Sequence, residues 1–140
     1  KPDKKYRVML NLTKTIEYAL ISLRHINNNG DGKLYTAKEI ATTYHMPQEN
    51  LAKILQKLSK TGYLKSNKGI KGGYALNKNL SNINLIDFIE SIEGPVGLVK
   101  CTNNLDCALL ELCNIKEPIN KINNNIREAL SKLSLHEITI

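Results

Sequence analysis

Tryptophan is absent from this 140-residue chain and phenylalanine occurs once, at Phe88, so the core has to be built mostly from Ile, Leu, Val and Ala. No apolar run approaches the ~20 residues that a membrane span requires, and no membrane partner is expected. Residues 1–8 are polar and no long apolar stretch follows them, so no secretory leader is expected. The first residue is not Met, and the visible start is expected to be trimmed or partly foreign. Cysteine is scarce and odd in number: Cys101, Cys107 and Cys113 are the only three. Without a secretion signal, that count argues against a disulfide scaffold and for a reducing, cytoplasmic setting. The length suits one domain with a modest core, or one small domain plus a dimerisation arm.

The three cysteines are separated by five residues each. Thiolates are soft ligands suited to zinc or to iron–sulfur clusters, and three of them close together form a corner of such a site. Small buried cysteines also fill cores. Here Asn103, Asn104 and Asp106 make the first interval polar and loop-like, which favours ligation. Spacing alone does not name the metal.

Charge is unevenly distributed. Residues 1–80 hold 15 Lys/Arg against 5 Asp/Glu, net +10, whereas residues 81–140 hold 5 against 8, net −3. A basic front half suits a polyanionic partner, although a lysine-rich solvated surface would look the same. The pattern of elements decides between them. A first helix is predicted over Leu12 to Ile26, with Ile16, Ala19, Leu20, Leu23 and Ile26 on one face and Glu17 beside that stripe. After an Asn/Gly-rich loop, Thr36 and Glu39 form a capping box for a short helix from Ala37 to about Tyr44. His45 and Met46 make a tight turn, and Pro47 suits the first position of a third helix carrying Leu51, Ile54, Leu55 and Leu58, with Gly62 as its stop. Two short helices joined this way are a helix-turn-helix.

Tyr63–Ser66 and Tyr74–Leu76 read as strands flanking a basic, glycine-rich tip, and the hairpin is a wing. Gly69, Gly72 and Gly73 permit unusual backbone angles and close approach, and Lys68 and Lys71 bring charge to phosphates or a narrow minor groove. A nucleotide-phosphate loop would need a Gly-Lys-Ser/Thr ending and a following helix, and neither is present. Helix-turn-helix plus wing predicts binding to double-stranded operator DNA. Gln48, Glu49, Asn50 and Lys53 would face the major groove, with Gln48 and Asn50 able to pair adenine edges. Lys38, Lys57, Lys68 and Lys71 would mainly contact phosphate.

Asn84 is expected to cap a helix bearing Leu85, Phe88, Ile89 and Ile92 and ending at Gly94-Pro95. Ala108 to Leu112 could form one helical turn. Pro118 opens a last long helix whose Ile119, Ile122, Ile126, Leu130 and Leu133 repeat at three- and four-residue intervals; this seam could pack within its own subunit, but a second copy of the chain is the favoured partner. The expected fold is mainly α with a small β-hairpin wing: a winged helix-turn-helix domain over residues 10–80, then a ligand-binding loop and dimerisation helix over 81–140.

This order of parts resembles the IscR/NsrR-type iron–sulfur winged-helix transcriptional regulators of bacteria, the Rrf2 family. The likeness runs from Leu12-Thr13 through Leu135. It is carried by Leu12-Thr13 with Tyr18-Ala19-Leu20, by Leu51, Leu58 and Gly62, by the wing Ser66–Gly69 and Gly72–Leu76, by Glu93-Gly94, and by the cysteine triplet. The resemblance implies a homodimeric regulator, a repressor, with an iron–sulfur cluster (2Fe–2S or 4Fe–4S) held by Cys101, Cys107 and Cys113. In IscR-like members a histidine completes the site, and Lys116 stands in its place here. In NsrR-like members an acidic residue of the partner's first helix does so, which nominates Glu17, the alternatives being an exogenous ligand or a cluster with an open site. The wing arginine common in the family is Lys68, which lacks the planar fork. A glutamate found in some recognition helices is Ala52.

Two other classes compete. A cluster-free, thiol-based redox regulator of the same fold would oxidise a cysteine directly. A small cysteine enzyme would need one of His25, His45 or His136, which are scattered and far in sequence from the cysteines, so no enzymatic activity is expected. A zinc site would use the same three thiolates.

Overall fold

The computed structural model describes residues 12–28, 33–70, 72–96 and 114–139. Its elements are α1 (Lys14–Asn28), α2 (Ala37–Tyr44), α3 (Gln48–Lys60), β1 (Leu64–Asn67), β2 (Gly73–Leu76), a 3-10 turn (Leu80–Asn82), α4 (Leu85–Glu93), α5 (Lys116–Ser131) and α6 (Leu135–Thr139). Among the described residues no helix is long and apolar enough to cross a membrane. The cysteines, Lys71 and the expected turn at Ala108–Leu112 lie outside the described residues.

Local chemistry sets most of these boundaries. Thr13 caps α1, its hydroxyl accepting from the Ile16 amide at 3.2 Å. Thr36 caps α2 by accepting from the Glu39 amide at 3.1 Å, and its hydroxyl donates back to the Glu39 carboxylate at 3.3 Å. Replacing Thr36 with alanine is expected to cost about 1 kcal/mol, read as a lower urea midpoint with an unchanged slope. Asn84 caps α4 through the Asp87 amide at 2.8 Å, and Gly94 closes that helix at φ 88°.

Several boundaries differ by one or two residues from the sequence expectation. Pro47 occupies the cap of α3 and not its first turn; its carbonyl accepts from Leu51 at 3.1 Å. Tyr63 turns into the core and β1 begins at Leu64. The last long helix begins at Lys116, so Pro118 sits third, where its missing N–H is still one that a helix start leaves unbonded. That helix stops at Ser131, and a short helix follows. Ser134 and Glu137 form a reciprocal capping box for it, with bonds of 3.2 and 2.9 Å.

One core joins these parts. Ile16, Ala19, Leu23 and Ile26 of α1 pack with Ile40, Leu51, Leu55 and Leu58 of the helix-turn-helix, and Leu80, Phe88 and Leu135 belong to the same cluster. The chain end is tied back by the Asn84–Ser134 bridge, where Leu85 donates to the Leu133 carbonyl and Leu135 to the Ile83 carbonyl, both at 2.8 Å. By contrast α5 buries only Asn123. Ile122 is 49% exposed and Leu133, just past the helix end, 41%, while Ile119, Ile126 and Leu130 are half-buried, so the apolar seam is only partly covered in a single chain.

Candidate nucleic-acid interface and sulfur-ligand site

The turn between α2 and α3 is made by His45, at φ 56° and ψ 45°, and by the Met46 amide donating to Ala41 at 2.9 Å. This left-handed residue, the one non-glycine at positive φ among the described residues, reverses the chain in two residues. It lets α3 bury Leu51, Ile54, Leu55 and Leu58 while Gln48, Glu49, Asn50, Lys53 and Lys57 remain exposed. A helix of about 10–12 Å diameter fits the major groove of B-DNA. Lys38 is exposed on α2.

The wing is an antiparallel pair with Leu64 opposite Leu76 and Asn67 opposite Gly73. Gly72 donates to the Gly69 carbonyl at 3.0 Å to form the turn, and the tip residue Ile70 is fully exposed beside exposed Lys68 and Gly69. Gly72 and Gly73 are half-buried. A third chain segment holds the wing in place: Tyr35 donates to the Tyr74 carbonyl at 3.0 Å and accepts from the Tyr74 amide at 2.7 Å. The wing is therefore fastened one residue ahead of the α2 cap. The sequence reading missed Tyr35; an isolated bridge leaves no periodic signal. His25 lies in the last turn of α1 with its Nδ1 2.8 Å from the Tyr44 hydroxyl, edge-on to the rings of Tyr35 and Tyr44.

Cys101, Cys107 and Cys113 lie in the segment between α4 and α5. The described chain leading to it is held at Val96. The Val96 amide donates to Glu90 at 2.9 Å and its carbonyl accepts from Arg127 at 3.2 Å. Arg127 in turn grips the Glu90 carboxylate with both of its terminal nitrogens, one at 3.1 Å. This fork couples α4 to α5. The Arg127 hydrogen bond holds the Glu90 carboxyl below its ordinary range against the opposing effect of burial, with the Val96 amide adding to it; Glu90 reciprocally raises Arg127. A depressed carboxyl contributes stability above its ordinary range and loses it as the pH falls through the depressed value. Glu90→Gln is thus expected to cost roughly 1 kcal/mol near neutrality. In unfolding titrations, the gap to the unsubstituted chain should close as the pH drops below the ordinary carboxylate range.

Glu17, the nominated fourth ligand, stands on the first turn of α1. Its side chain is 43% exposed and its carboxylate lies 3.8 Å from the exposed Lys14 ammonium. Such a loose surface pair leaves the oxygens available to a group arriving from outside the chain. Among the described residues no three His, Cys, Asp or Glu side chains are grouped to hold a metal. By donor chemistry, three thiols with one accessible carboxylate fit iron or zinc.

A family model for Rrf2, described as an iron-dependent transcriptional regulator, matches residues 12–139. The chain is 29% identical over 131 residues to the HTH-type transcriptional regulator NsrR of Bacillus licheniformis, covering 92% of each. Its fold is similar to that of CymR, the global cysteine regulator of B. subtilis, with a TM-score of 0.71 at 24% identity over 93% of this chain and 96% of that one. It is also similar to IscR of T. potens, with a TM-score of 0.68 at 22% identity over 92% and 85%.

Proposed function

Because the chain belongs to the Rrf2 family of transcriptional regulators, we propose that it is a homodimeric, operator-binding repressor whose occupancy of DNA is set by an iron–sulfur cluster on Cys101, Cys107 and Cys113. Glu17 of the partner subunit supplies the fourth ligand. The observation that carries the sensor half is the triplet of thiols, the chain's only cysteines, in the segment whose two ends carry the partners of the Glu90–Arg127 fork. The partly uncovered seam of α5 supports pairing with a second copy. The exposed Gln48–Lys53 face supports readout in the major groove, and Lys38, Lys57, Lys68 and Lys71 support phosphate contact.

When bound, the cluster supplies iron and sulfide that react with nitric oxide or oxygen, or register the supply of either element. The rest is done by the chain. Each Cys thiolate holds its share of the ligand charge. Glu17 ties the first helix of one subunit to the sulfur site of the other, and α1 packs directly on the helix-turn-helix core. Loss of that tie frees α1, and with it the separation of the two winged units on their half-sites.

A cluster-free thiol regulator is the second reading, favoured by Lys116 standing where IscR-like members place a ligand histidine. Anaerobic purification with visible absorbance and iron, sulfide and zinc analysis tests the proposal. Coloured protein with matched iron and sulfide is expected. Colourless, metal-free protein would favour the thiol reading, and stoichiometric zinc would replace the cluster by a zinc site.

A further inference from the structure

One side chain of α1 touches the supports of both elements that would meet DNA. His25 shares a hydrogen bond of 2.8 Å between its Nδ1 and the Tyr44 hydroxyl. Its ring stands edge-on to that of Tyr44, with centroids 5.4 Å apart, and edge-on to that of Tyr35 at 5.0 Å. Tyr44 is the last residue of α2, and the left-handed His45 that aims α3 follows it directly. Tyr35 is the buried residue whose backbone exchanges two hydrogen bonds with Tyr74 of the wing. The imidazole therefore bridges the support of the recognition helix and the fastening of the wing.

These contacts differ in kind from the stripe that α1 buries. Ile16, Ala19, Leu23 and Ile26 are aliphatic, and burial of such surface favours no particular angle. A hydrogen bond and an edge-on ring pair are directional. When α1 turns or shifts, Tyr35 and Tyr44 have to follow it or lose these contacts. Glu17 stands eight residues earlier on the same helix, about 12 Å away along its axis. Resting on the reading in which Glu17 ties α1 to the partner's sulfur site, we infer that His25 is the positioning residue through which a change at that tie reaches the DNA-reading surface. It passes the set of α1 to the wing through Tyr35 and to α3 through Tyr44, so the two elements move together. Without the imidazole, the sulfur site and the DNA-reading surface each persist but no longer affect one another.

The test uses the full chain purified anaerobically, before and after cluster removal with ferricyanide and an iron chelator, and a duplex enriched by binding from a random pool. Fluorescence anisotropy gives the affinity in both states for the unsubstituted chain, His25→Ala and His25→Phe, and visible absorbance and thermal melting check cluster content and folding. The unsubstituted chain is expected to differ at least about fivefold between the states, and His25→Ala less than about twofold, with the cluster spectrum unchanged. His25→Phe keeps a ring against Tyr35 and loses the bond to Tyr44, so its ratio is expected to fall between the two. If His25→Ala does not fold, His25→Phe decides alone. Amide hydrogen exchange at Tyr35 and Tyr74 is a second readout: cluster removal should alter it in the unsubstituted chain and leave it unaltered in His25→Ala. A merely structural role would lower both affinities together and leave their ratio at the unsubstituted value, and that result would overturn the coupling alone. An unsubstituted chain that holds no cluster, or that binds the duplex equally in both states, would overturn the sensor reading and the coupling with it.

Discussion

Gly73→Ala is expected to unfasten the wing and lower duplex affinity at least about tenfold. Gly73 sits at φ 146°, a conformation that L side chains rarely adopt, and an alanine forced into it costs about 1–3 kcal/mol. Space is lacking as well. A Cβ would stand 2.8, 2.9 and 3.0 Å from the backbone O, C and N of Tyr35. Those atoms cannot move aside freely, because Tyr35 exchanges both backbone hydrogen bonds with Tyr74 at the next residue. The variant must therefore break that bridge or twist β2, and either outcome moves Lys68 and the tip relative to α3. The core of α1, α2 and α3 does not include Gly73, so helical circular dichroism should persist while duplex binding, measured by fluorescence anisotropy, falls. Full affinity in Gly73→Ala would mean that the fastening of the wing is immaterial to binding.

Phe88→Ala is expected to remove about 3–5 kcal/mol of stability, a large part of the 5–15 kcal/mol that folded domains typically possess. Phe88 is fully buried and packs edge-on to Tyr63 with ring centroids 5.0 Å apart, while the Tyr63 hydroxyl lies 3.0 Å from Ser91 Oγ. Tyr63 leads directly into β1, so the cavity would open at the joint where α4 supports the base of the wing. In a chain with no Trp and no other Phe, few side chains nearby have the volume to close the gap. A urea midpoint within experimental error of the unsubstituted chain would contradict the place assigned to Phe88 in the core.

How much was legible in the sequence depended on the range of the interactions. Capping at Thr36 and Asn84 is a matter of three or four neighbouring residues, and those helix starts are found where the side chains predict them. The stripe of α3 buries as its periodicity predicts, and that of α1 does so except at Leu20, which is half-buried at the edge of the core while Ser22 is fully buried. The glycine-rich hairpin is likewise encoded by its own residues. Contacts between distant residues were invisible. Nothing near Tyr35 announces the strand it meets 39 positions later, and nothing near Glu90 announces Arg127, 37 positions on. The glycines of the wing read as permitting unusual backbone angles and close approach; Gly73 has such an angle, and the neighbour it approaches closely is the Tyr35 backbone, which only the fold reveals. Ser134 and Glu137 did carry a capping signature, but they stood in the shadow of the longer helix before them.

On the proposed reading, three thiols govern the grip of a pair of winged units on DNA. The most direct measurement substitutes Cys101→Ser, Cys107→Ser and Cys113→Ser together and follows occupancy of a selected operator duplex before and after exposure to nitric oxide or oxygen, under anaerobic handling. The triple variant is expected to bind duplex DNA still, through α3 and the wing, but no longer to change its occupancy, while the unsubstituted chain does. A triple variant that responds to either agent as the unsubstituted chain does would contradict it.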